Sequence, residues 1–196
     1  MSILLIAGSP SERSRSAALL EAVGQRLSGR GLDVERLRIR DLSPQALLLA
    51  DVAHRSVSQA IDQVDRARAI VVGTPVYKAA YSGFLKVFLD LLPQSALKGK
   101  LVLPLATGGS PHHMLALDYA LRPVLQSLGA KHILPGVYAT DAQVTVTPEG
   151  AYTVGRDIAT RLDDAVNLLV TETLRPSPAQ ATRFAPVPFS QVRCSV

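Results

Sequence analysis

A polar loop near the amino terminus carries residue types that bind phosphate. An apolar run, Ser2–Ala7, ends at Gly8, and a helical pattern begins a few residues later. The polar side chains between and around these points include Ser9, Ser14, Arg15 and Ser16. A helix N-terminus attracts anions through its unpaired N–H groups and its dipole. The glycine spacing excludes the dinucleotide fingerprint and the P-loop. Hydroxyls and arginine suit a terminal phosphomonoester, but an ordinary strand-to-helix turn has a similar composition.

A second loop, residues 74–83, has side chains that suit a flat aromatic ring. Pro75 restricts the backbone where the loop leaves the preceding strand. Tyr77 can lie against a π-system, and Lys78 can place a positive charge beside it. The alternative is that Tyr77 and Tyr81 are ordinary half-buried aromatic residues.

A third loop contains Thr107, Gly108 and Gly109. Paired glycines let backbone N–H groups approach a ligand closely. The alternative interpretation is a simple turn.

The order of elements predicts the fold that positions these loops. Apolar runs predict strands over residues 2–7, 32–39, 69–73, 100–106 and 131–138. Helical spacing predicts helices over residues 14–27, 57–67, 83–92, 114–128 and 157–173, with a loop and helical turn over 41–54. This alternation is typical of βαβ units and a parallel sheet.

We therefore expect an α/β, flavodoxin-like fold, a five-stranded parallel sheet in the order 2-1-3-4-5 with helices on both faces. Residues 1–174 form the predicted domain, and residues 175–196 form a tail rich in proline and serine. Strands one, three and four are neighbours in this order, so the three loops should line one cleft.

The charge, the apolar runs and the cysteine count indicate which partners and which cellular compartment to expect. The net charge is +5, but basic and acidic residues are interspersed, so we expect small anionic ligands or a solvated surface and no nucleic acid. No apolar run approaches the ~20 residues of a membrane span, and no secretory signal is visible. We therefore expect a cytoplasmic protein without a membrane partner. A single cysteine, Cys194, excludes disulfide scaffolds and cysteine metal sites.

The remaining catalytic inventory is small. The chain has four histidines, His54, His112, His113 and His132, and none has the spacing of a metal site. No Gly-x-Ser-x-Gly sequence marks a hydrolase nucleophile. A ligand cleft without an evident acid, base or nucleophile indicates that a cofactor carries the chemistry.

Three segments resemble the NADPH-dependent FMN reductases, in particular the flavin reductase component of two-component alkanesulfonate monooxygenase systems. They are Gly8-Ser9-Pro10 with Ser14-Arg15-Ser16, Thr74-Pro75-Val76-Tyr77-Lys78-Ala79-Ala80-Tyr81-Ser82-Gly83, and Leu103-Pro104-Leu105-Ala106-Thr107-Gly108-Gly109. The resemblance extends from residue 3 to about residue 140 and includes Asp90-Leu91-Leu92-Pro93 and Asp118-Tyr119-Ala120-Leu121.

This resemblance implies an oxidoreductase that uses FMN and NADPH or NADH, with hydride passing from the nicotinamide to flavin N5. It implies that the phosphate of FMN is held by Ser9, Ser14, Arg15 and Ser16. The isoalloxazine would be bordered by Pro75, Val76, Tyr77 and Lys78, and its pyrimidine side by Thr107, Gly108 and Gly109. No side chain is expected to act as catalytic acid or base.

The resemblance also implies an assembly and a partner. Tyr119 corresponds to a tyrosine in a π-helical insertion at a subunit interface, an element associated with flavin as a released substrate. A homodimer or homotetramer is expected, with an FMN-dependent monooxygenase receiving the reduced flavin. Two methionines and one cysteine fit a role in sulfur acquisition.

Three other functions compete with this interpretation. A quinone or azo-dye reductase would retain its FMN. A flavodoxin-type electron carrier would not oxidise NADPH, and its usual acidity contrasts with the net charge of +5. A nucleotide-binding regulatory module would turn over no flavin.

Overall fold

Strands and helices alternate along residues 2–174, the part of the chain that the computed structural model describes. The strands are β1 (Ser2–Ala7), β2 (Asp33–Arg38), β3 (Ala69–Tyr77), β4 (Ala80–Tyr81), β5 (Leu101–Gly108), β6 (His132–Ile133), β7 (Val137–Thr140), β8 (Val144–Val146) and β9 (Tyr152–Val154). The α-helices are α1 (Arg15–Ser28), α2 (Pro44–Leu48), α3 (Arg55–Arg66), α4 (Gly83–Leu89), α5 (Arg122–Ser127) and α6 (Arg156–Leu174). The predicted tail, residues 175–196, lies outside the described residues.

The main sheet is parallel and runs in the order β2-β1-β3-β5, with β6 and β7 both beside β5. If β6 and β7 count as one interrupted strand, this is the predicted order 2-1-3-4-5, and the flavodoxin-like fold class is confirmed. β4 adds a short antiparallel pairing to the end of β3.

The core occupies both faces of the sheet because successive side chains of a strand point in opposite directions. Leu4 and Ile6 of β1 pack in one hydrophobic cluster, together with side chains of α3 and α4. Ile3 and Leu5 pack in the other, with side chains of α1 and α6. Burial on both faces explains why β1, β3 and β5 are nearly continuous apolar runs.

The fifth predicted strand, residues 131–138, is interrupted between β6 and β7. Gly136 lies against the neighbouring strand: a Cβ there would be 3.1 Å from the carbonyl oxygen of Pro104 and 2.8 Å from Cδ1 of Leu117. The apolar run alone could not show this break. The β8–β9 hairpin was not predicted either, since each of its strands has only three residues.

The prediction of a single α-helix over residues 114–128 is wrong, because three helical segments of different type occupy this part of the chain. The chain forms a 3-10 helix over Pro111–Leu115, a π-helix over Ala116–Leu121, and only then α5. Pro123 follows the π-helix and has no N–H group to donate to the preceding turn. Leu117, Leu121 and Leu125 are buried at intervals of four residues across the π-helix and α5, so their spacing looks like that of one α-helix.

Among the described residues, no helix is both long and apolar enough to cross a membrane.

Candidate active site

The three loops identified in the sequence line one cleft at the carboxyl ends of β1, β3, β5 and β7. Its lining consists of Ser9, Ser11, Arg13, Ser14, Arg15, Pro75, Val76, Tyr77, Thr107, Gly108, Gly109 and Asp141. Ligands of open α/β sheets bind at this edge, where the strand order reverses. The cleft therefore contains nine of the eleven residues predicted to contact a cofactor.

The other two predicted residues, Ser16 and Lys78, do not line the cleft. Ser16 is buried, and its hydroxyl lies 2.9 Å from the hydroxyl of Ser14, so it supports a lining residue from behind. Lys78 lies in the turn between β3 and β4 with a φ of 50°. Their direct contact with a cofactor stays a prediction.

Three lining residues were missed: Ser11, Arg13 and Asp141. Ser11 and Arg13 belong to the first loop, whose composition could have included them. Asp141 follows β7, and no local motif marks it. Only the position of β7 beside β5 brings it to the cleft.

One end of the cleft is built for an anion. Ser14 caps α1, its hydroxyl accepting a hydrogen bond from the N–H of Ala17 at 3.3 Å. The hydroxyl of Ser9 accepts one from the N–H of Ser11 at 3.2 Å, which tightens the loop. Arg13 and Arg15 bring guanidinium groups to the same end. Hydroxyls, two positive charges and a helix N-terminus together favour a phosphate.

The other end offers a flatter, less polar wall. Val76 and Tyr77 pair with Tyr81 and Ala80 in the short β3–β4 hairpin, which fixes their backbone. Tyr81 packs against the core, as the alternative interpretation proposed, whereas Tyr77 is 47% exposed. The Tyr77 ring is therefore accessible to a planar ligand.

A buried hydrogen-bond hub joins the first two loops. The hydroxyl of Ser82 donates to the carbonyl of Gly8 at 2.5 Å and accepts from the N–H of Leu85 at 3.1 Å. The N–H of Ser82 donates to the hydroxyl of Thr74 at 3.0 Å. Both side chains are fully buried, so the hub sets the relative position of the loops and caps α4. No local sequence motif marks Thr74 and Ser82 for this role.

Ser82→Ala is expected to destabilise the fold by about 2–3 kcal/mol, since it leaves a buried carbonyl unpaired and removes a helix cap. Chemical denaturation followed by circular dichroism measures this change. Ser127→Ala is the matched control: its exposed hydroxyl donates only to the carbonyl of Val124, and we expect a change within about 0.5 kcal/mol. Equal losses in the two variants would contradict the role of the hub.

Gly108 sits where no side chain fits. A Cβ there would lie 2.6 Å from the hydroxyl oxygen of Tyr138 and 3.2 Å from Cβ of Val76. That hydroxyl donates to the carbonyl of Ser110 at 2.5 Å. Burial raises the pKa of the Tyr138 hydroxyl, and the carboxylate of Asp141 raises it further, so the group remains a proton donor.

Comparison with known proteins places this architecture in a family. Residues 1–149 match the family described as NADPH-dependent FMN reductase. The chain belongs to the NADPH-dependent FMN reductase family. The predictions of an oxidoreductase that uses FMN and a reduced nicotinamide nucleotide are thereby confirmed.

Individual relatives agree with this assignment. The chain is 49% identical over 144 residues to FMN reductase (NADPH) of Escherichia coli K12, covering 74% of this chain and 75% of that protein. It is 50% identical to FMN reductase (NADPH) of Pseudomonas putida KT2440, covering 74% and 73%. The apo crystal structure of the NADH:FMN oxidoreductase EMOB superposes with a TM-score of 0.80 at 40% identity, covering 97% and 99%.

The cleft suits the cofactor of this family. Its anionic end offers three serine hydroxyls and two arginines, a donor set for the terminal phosphate of FMN. The opposite wall offers Tyr77 and Val76 to a planar ring system. Gly108 keeps the intervening backbone free of a side chain. The residues present therefore fit FMN in polarity and in the accessible aromatic ring that they offer.

Tyr119 of this chain lies in the π-helix, and the residue is 79% exposed. Met114 and Leu115, in the adjoining 3-10 helix, are also exposed. These three exposed side chains are here called the π-helix patch. Its role as a subunit interface stays a prediction.

Proposed function

We propose that this chain oxidises NADPH or NADH to reduce FMN and then releases the reduced flavin to a monooxygenase. The observation that carries the proposal is a cleft lined by serine hydroxyls and two arginines together with the exposed ring of Tyr77. The named relatives use either NADPH or NADH.

The contribution of the protein is alignment. Ser9, Ser14 and Arg15 would hold the phosphate, and Tyr77 would border the ring system beside Thr107. Bound FMN supplies the acceptor for a hydride from the reduced nicotinamide. Holding two reactants in near-attack geometry can remove about 7–11 kcal/mol of barrier, which is enough for a large acceleration without a catalytic acid or base.

Absorbance at 340 nm tests the reaction. NADPH and NADH are each added to the purified protein with and without FMN, and the expected result is rapid oxidation only when FMN is added. Ultrafiltration after turnover should recover the flavin in the filtrate. Yellow protein that retains its flavin and reduces quinones would instead indicate a quinone or azo reductase. Absence of any flavin-dependent oxidation would contradict reductase activity.

The finer proposal is that the receiving enzyme desulfonates alkanesulfonates. It is supported by the resemblance of the three loop segments and by the small number of sulfur-containing residues, two methionines and one cysteine. An FMN-dependent alkanesulfonate monooxygenase should release sulfite when mixed with this chain, NADPH and FMN. No sulfite despite active flavin reduction would remove the sulfonate role and leave the reductase intact.

We also propose that the π-helix patch joins subunits of a homo-oligomer. Tyr119→Arg places a charge in an apolar contact, so the assembly should dissociate to a smaller species. Size-exclusion chromatography with light scattering measures the mass. Leu168→Arg, at an exposed apolar position on α6, is the control and should leave the mass unchanged. An unchanged mass for both variants would place any interface elsewhere.

A further inference from the structure

A carboxylate lies inside the cleft that would hold an anion. Asp141 lines the cleft, and its Oδ2 lies 3.6 Å from a terminal guanidinium nitrogen of Arg15. The two side chains are 44% and 49% exposed, so water reaches both partners. An acidic side chain in this place works against the binding of a phosphate dianion.

The backbone holds Asp141 at this position. Its N–H donates to the carbonyl of Gly108 at 3.1 Å, which ties it to the third loop. The side-chain oxygen of Gln143 accepts from the N–H and the hydroxyl of Thr140, at 2.9 and 3.1 Å. These bonds close the turn after β7, so the carboxylate stays at the edge of the cleft.

The contact between Asp141 and Arg15 is weak enough to be exchanged for another. At 3.6 Å it is longer than a hydrogen bond, so the attraction is coulombic only. A solvent-exposed pair of this kind contributes little to stability. A phosphate that binds Arg15 would compete with Asp141 for its positive charge and would be repelled by the carboxylate nearby.

We propose that Asp141 sets the affinity for FMN: it competes for Arg15, repels the phosphate, and thereby lets the flavin dissociate after reduction. The inference rests on the proposed function, in which the FMN phosphate lies beside Arg15. A flavin that passes to another enzyme must leave, and a carboxylate facing its phosphate favours departure. Asp141 acts on binding and takes no part in the chemical step.

Flavin titrations of Asp141→Asn test the proposal. Removing the charge should tighten FMN binding about threefold to tenfold, because a repulsion is lost and Arg15 is released from its partner. Quenching of flavin fluorescence measures the dissociation constant. Riboflavin, which lacks the phosphate, should bind with unchanged affinity. Stopped-flow measurements should show that FMN dissociates more slowly.

Two further variants serve as controls. Asp164→Asn removes one negative charge from the exposed face of α6 and should leave FMN affinity unchanged. Asp141→Glu keeps the charge in the cleft and should bind FMN much as the unmodified protein does. Thermal denaturation of each variant shows whether it is folded.

The outcomes separate this inference from the proposed function. If Asp141→Asn binds FMN equally well or more weakly while Arg15→Ala weakens FMN and spares riboflavin, Asp141 does not set the affinity, but the phosphate assignment stands. If Asp141→Asn tightens FMN and riboflavin equally, the effect does not act on the phosphate and the inference is wrong. If Arg15→Ala affects both flavins equally, the phosphate assignment itself fails.

Discussion

Replacing Arg15 with alanine is expected to raise the KM for FMN about tenfold while kcat changes by less than about twofold. A charge-assisted hydrogen bond contributes about 1.5–3 kcal/mol. We expect the lower end of this energy range because the Arg15 side chain is half exposed and solvent screens its charge. Arg15 begins α1, so under the proposed function its guanidinium would act together with the helix N-terminus on the FMN phosphate. The phosphate is remote from the reacting ring, so binding suffers more than turnover.

Initial rates over a range of FMN concentrations measure both constants, and repeating them with riboflavin isolates the phosphate. Arg15→Ala should reduce or abolish the preference for FMN over riboflavin. Arg66→Ala is the matched control, since Arg66 is an exposed arginine at the end of α3. An unchanged KM for FMN in Arg15→Ala would remove the first loop from the phosphate site.

The sequence could predict the cleft because each of its three main loops follows a buried strand. Apolar runs ending in Gly8, Thr74 and Thr107 are local signals, and the parallel order then brings their ends together. Continuous apolar runs also predict that the core covers both faces of the sheet. These features depend on neighbouring residues in the chain and on one general rule about parallel sheets.

Long-range contacts could not be predicted in this way. Asp141 reaches the cleft because β7 pairs with β5, and Gly136, in the break before β7, lies close to Pro104. The hub of Thr74 and Ser82 depends on a hydrogen bond to Gly8, which is 74 residues away from Ser82. Such partners have no signature in local composition.

The π-helix illustrates a limit of periodicity. Leu117, Leu121 and Leu125 are buried and lie four residues apart, a spacing that fits an α-helix. The residues between them take a π turn, which leaves Tyr119 on the outside. A change of one residue per turn preserves most of the apolar pattern, so family resemblance was the only indication of this element.

Gly108→Ala is expected to lower stability by about 1–3 kcal/mol and to weaken FMN binding, because the added methyl group overpacks the cleft wall. The new Cβ would lie 2.6 Å from the Tyr138 hydroxyl oxygen. That oxygen cannot retreat without losing its bond to the carbonyl of Ser110. Thermal denaturation should show a loss of about 2–4 °C for each kcal/mol.

Gly109→Ala is the matched control for the loss of stability, since the nearest atom to its Cβ would be Asp141 Oδ2 at 3.8 Å, an ordinary contact. The decisive measurement is a double-mutant cycle with Tyr138→Phe, which removes the crowding oxygen and one hydrogen bond. Tyr138→Phe should lower stability less in the Gly108→Ala variant than in the unmodified protein. In the Gly108→Ala variant the substitution also removes the oxygen that clashes with the new methyl group. Strictly additive losses would show that the Tyr138 hydroxyl does not determine why position 108 is a glycine.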